Sequence, residues 1–359
     1  MPSGKQTICL TMIVKNEAHV IARCLASVRP LITSWCIVDT GSGDGTQKII
    51  REELADLPGQ LHERPWRDFG HNRTEAIELA RGKADYDLVI DADDVLVIPG
   101  GFAMPRLTAD SYEIRVEDCG TSYYRVHLFR GDLDFHYVGV LHEVIMSGPG
   151  RSLARLDGLG YRRMYDGARS TDPLKFRKDA ALLEKSLKAE PGNTRYAFYL
   201  AQSWRDAGEY TKAAAAYERR AGMGGWPEEV WYSLYERARL AEHIGEDDDA
   251  VIAHYVRAFE TRPQRAEAPC HLARALRLRN RPAAAYPFAR TASDIPRPND
   301  ILFIDDSVYT WRALDEFGIA AYHTGLYREG LAANAVIDRG VVEDCLIASI
   351  GPPRSGLQS

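Results

Sequence analysis

The first part of the chain alternates short apolar runs with stretches where apolar residues recur every three or four positions. Ile8–Val14 is one such run, closed by Lys15-Asn16-Glu17. Helical spacing follows over residues 18–28, with Val20, Ile21, Cys24, Leu25 and Val28 on one face. Trp35–Asp39 is a second run, closed by Gly41-Ser42-Gly43-Asp44-Gly45, and the pattern predicts a helix from Thr46 to near Leu54. Another helix is predicted over Asn72–Ala80, and Leu88-Val89-Ile90 reads as a third strand. This alternation predicts βαβ units around a mostly parallel sheet. Between residues 109 and 165, Ser111–Glu117, Tyr123–Phe129 and Tyr137–Met146 read as strands with no helix between them, which predicts an antiparallel section.

From about Asp172 to near Ala333 the pattern is helical and repeats itself. Leu200-Ala201, Trp204, Tyr210, Ala213, Tyr217 and Ala221 stand at set offsets around Gly208. The offsets recur around Gly245 (Ala250, Ala258) and more weakly around Asn280 (Leu272-Ala273, Ala285). The spacings, 37 and 35 residues, are close to the 34 of tetratricopeptide repeats, and small residues alternate with large ones as two packed antiparallel helices require. This region resembles tetratricopeptide repeats. Pro191, Pro263, Pro296 and Pro298 fall between predicted helices, and Leu302–Tyr322 reads as a capping helix. The expected organisation is an α/β domain over 1–168, an α-helical domain over 172–350 and a flexible tail over 351–359.

Composition narrows the function classes. A chain of 359 residues has room for about two domains, and 45 % hydrophobic with 27 % charged residues is globular composition. Lys+Arg 45 against Asp+Glu 51 gives a net charge of −6, which argues against a general nucleic-acid binder. No run reaches the length of a membrane span, and Met1–Thr7 has no apolar signal-peptide core. Cys9, Cys24, Cys36, Cys119, Cys270 and Cys345 are scattered without a C-x-x-C pair. They read as buried free thiols, with a cytoplasmic location expected.

Polar residues cluster where predicted strands end, and ligands of open α/β sheets bind at the carboxyl ends of parallel strands. The three clusters are Lys15-Asn16-Glu17, Asp39-Thr40-Gly41-Ser42-Gly43-Asp44-Gly45-Thr46 and Asp91-Ala92-Asp93-Asp94. Carboxylates crowded at one strand end repel one another. A divalent cation relieves that repulsion, and oxygen ligands suit Mg2+ or Mn2+.

Thr11–Glu17, Val38–Thr46, Phe69-Gly70-His71-Asn72-Arg73 and Asp91–Asp94, in that order and spacing, resemble glycosyltransferase family 2. The resemblance implies the GT-A nucleotide-sugar fold with a mixed sheet. It is strong over residues 8–95 and extends loosely to about 165. It implies that Asp39 contacts the nucleotide base, usually uracil, and that Thr11, Ile13 and Val14 line the base pocket. Glu17 would lie near the ribose, Arg73 at the nucleotide or diphosphate and Asp91 at the ribose or sugar, with Asn16, Asn72 and Ala92 as further candidates for donor binding. Asp93 would bind the metal. The family often has two acids after the second strand; here the second position is Thr40, which leaves uridine and guanosine both open.

Val140-Leu141-His142-Glu143 matches a His-Glu pair of similar enzymes, making His142 a candidate metal ligand and Glu143 a candidate base. Asp94, Glu117 and Asp118 are further candidate bases, and Arg130 is a candidate diphosphate contact. The implied reaction is metal-dependent sugar transfer from a nucleoside diphosphate sugar, with inversion at the anomeric carbon. A family 2 domain followed by such repeats resembles peptide S-glycosyltransferases of the glycocin type. That implies a peptide or protein acceptor, or self-association through the repeats. Two other readings compete: a non-catalytic interaction protein, and a haloacid-dehalogenase-like phosphatase with Asp91 as nucleophile and Asp305-Asp306 as a late acidic pair.

Overall fold

The computed structural model describes residues 5–118 and 121–337. The expected tail, Cys119 and Cys345 lie outside the described residues. The chain divides into two compact units, Met1–Leu183 and Glu184–Ser359.

In the first unit, strands β1 (Ile8–Val14), β2 (Ser34–Asp39), β3 (Gly59–Glu63) and β4 (Tyr86–Val89) are parallel. Helices α1 (Ile21–Val28), α2 (Thr46–Glu53) and α3 (Phe69–Ala80) connect them. α1 buries Ile21, Cys24, Leu25 and Val28, the face its spacing predicts. β5 (Val95–Val97), β6 (Ser111–Asp118), β7 (Thr121–Arg130) and β10 (Leu153–Arg162) extend the same sheet. The order is β3-β2-β1-β4-β7-β6-β10-β5. β7 is antiparallel to β4 and β6, so the sheet is mixed. Tyr137–Met146 is not one strand. It is a hairpin of β8 (His136–Val138) and β9 (Val144–Met146), and its turn carries His142 and Glu143.

The register brings the polar strand ends level. Val14 pairs with Asp39, and Thr11 pairs with Val89, the last residue of β4. With β2 and β4 flanking β1 in parallel, Asp39 and the acidic run after Val89 leave the same, carboxyl end of the sheet.

α4 (Lys175–Ala189) contains the division between the units, and its first half is tied to the first unit by Arg169 donating to Asp179 at 2.6 Å. The second unit is helical. α5 (Thr194–Asp206) pairs with α6 (Tyr210–Gly222), α7 (Pro227–Ile244) with α8 (Asp248–Thr261), and α9 (Glu267–Leu278) with α10 (Pro282–Asp294). The repeat anchors fall in the three intra-pair turns with left-handed backbones: Gly208 at φ 75°, Gly245 at 75° and Asn280 at 56°. Ala213, Tyr217, Ala238, Ala241, Ala258 and Ala273 are buried in the shared core, the small/large seam read from the sequence. A π-helical turn, Val308–Arg312, leads into α11 (Ala313–His323), the expected cap. The unit is thus an all-α, tetratricopeptide-like array of helix pairs after an α/β GT-A-type domain.

Candidate functional site

The loops after β1 and β2 are laced together. The Asn16 and Glu17 amides donate to the hydroxyls of Ser42 and Thr46, each at 2.8 Å. Asp44 accepts from the Ala18 amide at 2.9 Å, and Asn16 Oδ1 accepts from the Gly43 amide at 2.9 Å. Asp44 is therefore a clasp between loops, and Asn16, with a left-handed backbone at φ 57°, is engaged in the same clasp.

Asp39 sits at the head of this loop pair and is buried. Its Oδ1 accepts from the amides of Gly41 and Ser42, both at 2.8 Å, while Oδ2 is buried with no partner. Leaving a buried carboxylate oxygen unmatched costs free energy, so this atom retains an unused acceptor position.

Across the sheet edge, Arg73 on the first turns of α3 pairs with Asp91 and, at 2.7 Å, with Glu143. Burial pulls the Arg73 pKa down, but the two carboxylates outweigh it and hold it above its ordinary value. Burial would raise the Asp91 pKa, yet Arg73 and Arg125 hold it below the usual carboxylate range. Asp93 and Asp94 make no ion pair among the described residues, and Arg163 offsets only part of the rise in each. Burial, then Asp91, raises the Asp93 carboxyl, and burial with Asp91 and Asp93 pushes Asp94 up to about 8. Glu17 rises to about 7 through burial and Asp93. These acids therefore share one electrostatic neighbourhood.

The hairpin turn is pressed onto α3. The Phe69 amide donates to the Val140 carbonyl at 3.2 Å, and a Cβ on Gly70 would stand 2.3 Å from the Gly139 carbonyl oxygen. Only glycine admits that approach. Glu143 is held by Arg73 with 7 % of its side chain exposed.

Several supports were not legible as site residues. Arg23 on α1 donates to the Asp93 carbonyl at 2.8 Å and grips Asp166 with both terminal nitrogens at 2.7 Å. The Ala168 amide donates to Glu17 at 3.1 Å, and a Cβ on Gly167 would fall 2.7 Å from Asp93 Oδ2. Residues 166–168 thus close against the acidic edge. His127, stacked on Tyr161 with ring centroids 3.8 Å apart, approaches the Val89 carbonyl at 3.1 Å, and the Tyr161 hydroxyl donates to the same oxygen. Burial pushes the His127 imidazole down to about 3, so it stays neutral. Separations of 38 and 72 residues from Val89 hide these contacts from any local pattern.

Other expected residues fall elsewhere. Arg130 pairs with Tyr86 at the opposite end of β4 from Asp91 and bonds Asp132, so it does not face a diphosphate at the acidic edge. Asn72 is fully buried and braces its own loop, accepting from the Arg67 amide at 2.9 Å and donating to Pro65. Ala92 is core. Thr11 and Ile13 line a cavity of about 10 Å3 with Arg73 and Tyr137, where the Thr11 hydroxyl lacks a partner. That is room for about one water. Val14 accepts from Thr40 through its carbonyl. His142 is exposed in the hairpin turn at φ 52°.

Among the described residues no group of three or more His, Cys, Asp or Glu side chains is placed to hold a metal ion, so His142 does not join Asp93 in such a set. This donor chemistry suits Mg2+ or Mn2+ held by one or two carboxylates and completed by water and phosphate. Asp93, whose carboxyl is raised by burial and then by Asp91, is the residue that would hold such an ion. Cys9, Cys24, Cys36 and Cys270 are buried and free. No helix among the described residues is long and apolar enough to cross a membrane.

Residues 9–97 match the family model described as Glycosyl transferase family 2, so the first unit carries a domain of that kind. The chain is 28 % identical over 217 residues to the SPbeta prophage-derived glycosyltransferase SunS of Bacillus subtilis, covering 55 % of this chain and 49 % of that protein. It is 42 % identical over 91 residues to a TPR repeat-containing protein of Synechococcus elongatus, covering 25 % of this chain and 21 % of that one. The chain thus spans half or less of the length of these curated relatives. A crystal structure of MamA superposes with a TM-score of 0.40 at 17 % identity, covering 51 % of this chain and 99 % of that one.

Proposed function

We propose that the chain is a metal-dependent, inverting glycosyltransferase that moves a sugar from a nucleoside diphosphate sugar, UDP-linked in the first instance, to a peptide or protein acceptor. The observation that carries this reading is the buried, unpartnered Oδ2 of Asp39 at the end of β2, two strands from the crowded acidic run that follows β4, within a family 2 domain.

In this reading Asp39 accepts the imide N–H of the base, while the Gly41 and Ser42 amides fix its other oxygen. Asp93 holds Mn2+ or Mg2+, which when bound neutralises charge developing on the departing diphosphate. Arg73 stays with Asp91 and fixes that carboxylate for the sugar or ribose hydroxyls. Glu143 keeps Arg73 in place. An acceptor hydroxyl needs a carboxylate base, and Asp94 and Glu17, both within electrostatic reach of Asp93, are the candidates. A thiol acceptor, partly ionised near neutral pH, needs less help. The competing phosphatase reading loses support, because Asp91 is held by Arg73 and Asp305 and Asp306 pair with Arg312 and Arg297.

Calorimetric titration of the chain with UDP and with GDP, each with Mn2+, tests the donor assignment. A screen of nucleotide sugars for metal-dependent hydrolysis then identifies the sugar. Asp93→Ala is expected to abolish turnover while leaving the unfolding transition in place. Absence of heat with every nucleotide favours a repeat-based interaction protein, and normal turnover by the variant overturns the metal-dependent assignment.

A further inference from the structure

The hairpin of β8 and β9 leaves one hydrogen-bonding edge open. Tyr137 in β8 sits opposite Ile145 in β9. The Tyr137 N–H donates to the Thr74 hydroxyl of α3 at 2.9 Å, and that hydroxyl donates to the Tyr137 carbonyl at 3.3 Å. Both backbone groups of Tyr137 therefore turn away from β9. In an antiparallel pair, opposite residues turn both groups inward together or outward together. Tyr137 and Ile145 form an outward pair, so the N–H and C=O of Ile145 turn away from β8 on the far side. Neither has a partner among the described residues, and β9 pairs with β8 alone. Thr74 thus closes the β8 edge, while the β9 edge stays open.

The side chains of the hairpin are unusual for such an edge. Tyr137 and Ile145 face inward, in a cluster with Ile77, Val89, Phe129 and Phe135. The outer face carries Val138, Val144 and Met146, which are 52, 42 and 49 % exposed. A ribbon with one face on the core ordinarily turns polar residues to water. Edge strands are ordinarily guarded by Lys, Pro or a bulge, and Val144-Ile145-Met146 has none of these. Its one safeguard is a length of three residues. β9 begins at the residue after Glu143, whose carboxylate holds Arg73 beside Asp91. One end of the open edge therefore adjoins the candidate site.

An outward N–H and C=O on one extended residue are complemented by the backbone of another extended chain. Three residues of edge do not supply the roughly 1,200 Å2 that a stable pair of subunits buries. They suit a chain that docks and leaves. We infer that β9 takes an extended polypeptide segment as a third strand. The segment bonds through its backbone to Ile145 and places apolar side chains, at alternate positions, beside Val144 and Met146. Given the reading of the chain as a transferase to a peptide or protein, on which this identification rests, the segment belongs to the acceptor. It continues past Val144 towards Glu143, Arg73 and Asp91. Backbone bonds supply affinity without fixing the sequence, and the alternate apolar positions supply selectivity.

Strand pairing has a signature that side-chain binding lacks: a period of two along the probe's backbone. The probe is the peptide Ser-Gly-Val-Thr-Val-Gly-Ser, added without donor to the full chain carrying isotope-labelled isoleucine. The Ile145 amide resonance, assigned by its loss in Ile145→Val, is expected to shift as the probe binds. N-methylation at alternate probe residues should weaken binding about tenfold, and N-methylation at the residues between should leave it unchanged. Serine in place of both probe valines, or Met146→Lys in the protein, should weaken it about threefold or more with far-UV circular dichroism unchanged. No shift of the Ile145 amide at about 10 mM probe, or equal losses from N-methylation at every residue, overturns the proposal. A shift that grows with protein concentration in the absence of probe also overturns it and assigns the edge to a second copy. Titration of the same preparation with UDP and Mn2+ separates the two readings. Nucleotide heat without a probe shift sinks the docking strand alone. A probe shift without nucleotide heat keeps the docking strand and overturns its identification with an acceptor.

Discussion

Asp87→Asn should make the protein more stable, and by an amount that grows with pH. Asp87 lies in β4, is fully buried, and neither of its carboxylate oxygens has a hydrogen-bond partner. Burial pushes its pKa from 3.8 up to about 7, with Arg81 and Lys83 opposing part of the rise. An unfolded chain therefore loses this proton near pH 4, while the folded chain keeps it to about pH 7. Between those values unfolding releases a proton, so stability falls as pH rises, by about 1.4 kcal/mol per pH unit. Across the roughly three-unit gap the loss reaches about 4 kcal/mol and is complete above pH 7. Asparagine has no proton to lose. The stability difference between Asp87→Asn and the parent should be small at pH 4, rise through pH 5 and 6, and level off above pH 7 in favour of the variant. Urea unfolding of both proteins at half-unit steps from pH 4.5 to 8 reads this directly. A difference that stays flat across that window refutes the assignment of an uncompensated buried carboxyl at this position.

Three further substitutions probe the site. Asp39→Asn keeps an oxygen for the Gly41 and Ser42 amides but puts an N–H where Oδ2 now waits for a donor. Nucleotide affinity should fall about tenfold or more in calorimetry with the melting temperature nearly unchanged. Gly70→Ala places a methyl against the Gly139 carbonyl and should cost about 1–3 kcal/mol in unfolding experiments while lowering turnover through the displaced hairpin. Glu143→Gln should reduce kcat by less than about tenfold if the residue only steadies Arg73, whereas loss of a general base would cost about 100- to 10,000-fold.

The βαβ half was readable because β1, β2 and the buried face of α1 carry their apolar residues in unbroken or three-four spacing, with polar residues confined to the ends. β3 was missed since Gly59–Glu63 is a partly exposed edge strand with no alternation. β10 was missed because its register shifts between Arg155 and Gly160 break the period. Tyr137–Met146 read as one strand because both arms of the hairpin are apolar and the turn between them is short. The helix pairs were legible from Gly208 and Gly245, which adopt the left-handed turn that glycine favours, and less so where Asn280 replaces it. At the site, Asp39, Asp91, Asp93 and Arg73 could be found because each stands at an element's end. What each touches could not: the Arg73 link to Glu143, the Asp93 contacts with Arg23 and Gly167, and the burial of Asn72 depend on segments far apart in the chain.

The Val89 carbonyl, bracketed by His127 from β7 and Tyr161 from β10, has a kinetic meaning. It anchors the backbone just before the acidic run to two strands of the rigid sheet, so those carboxylates are oriented before any substrate arrives. Little conformational entropy then remains to be lost on donor binding at this edge. Encounter there should proceed at a rate set by diffusion and charge rather than by a slow rearrangement of the strand end.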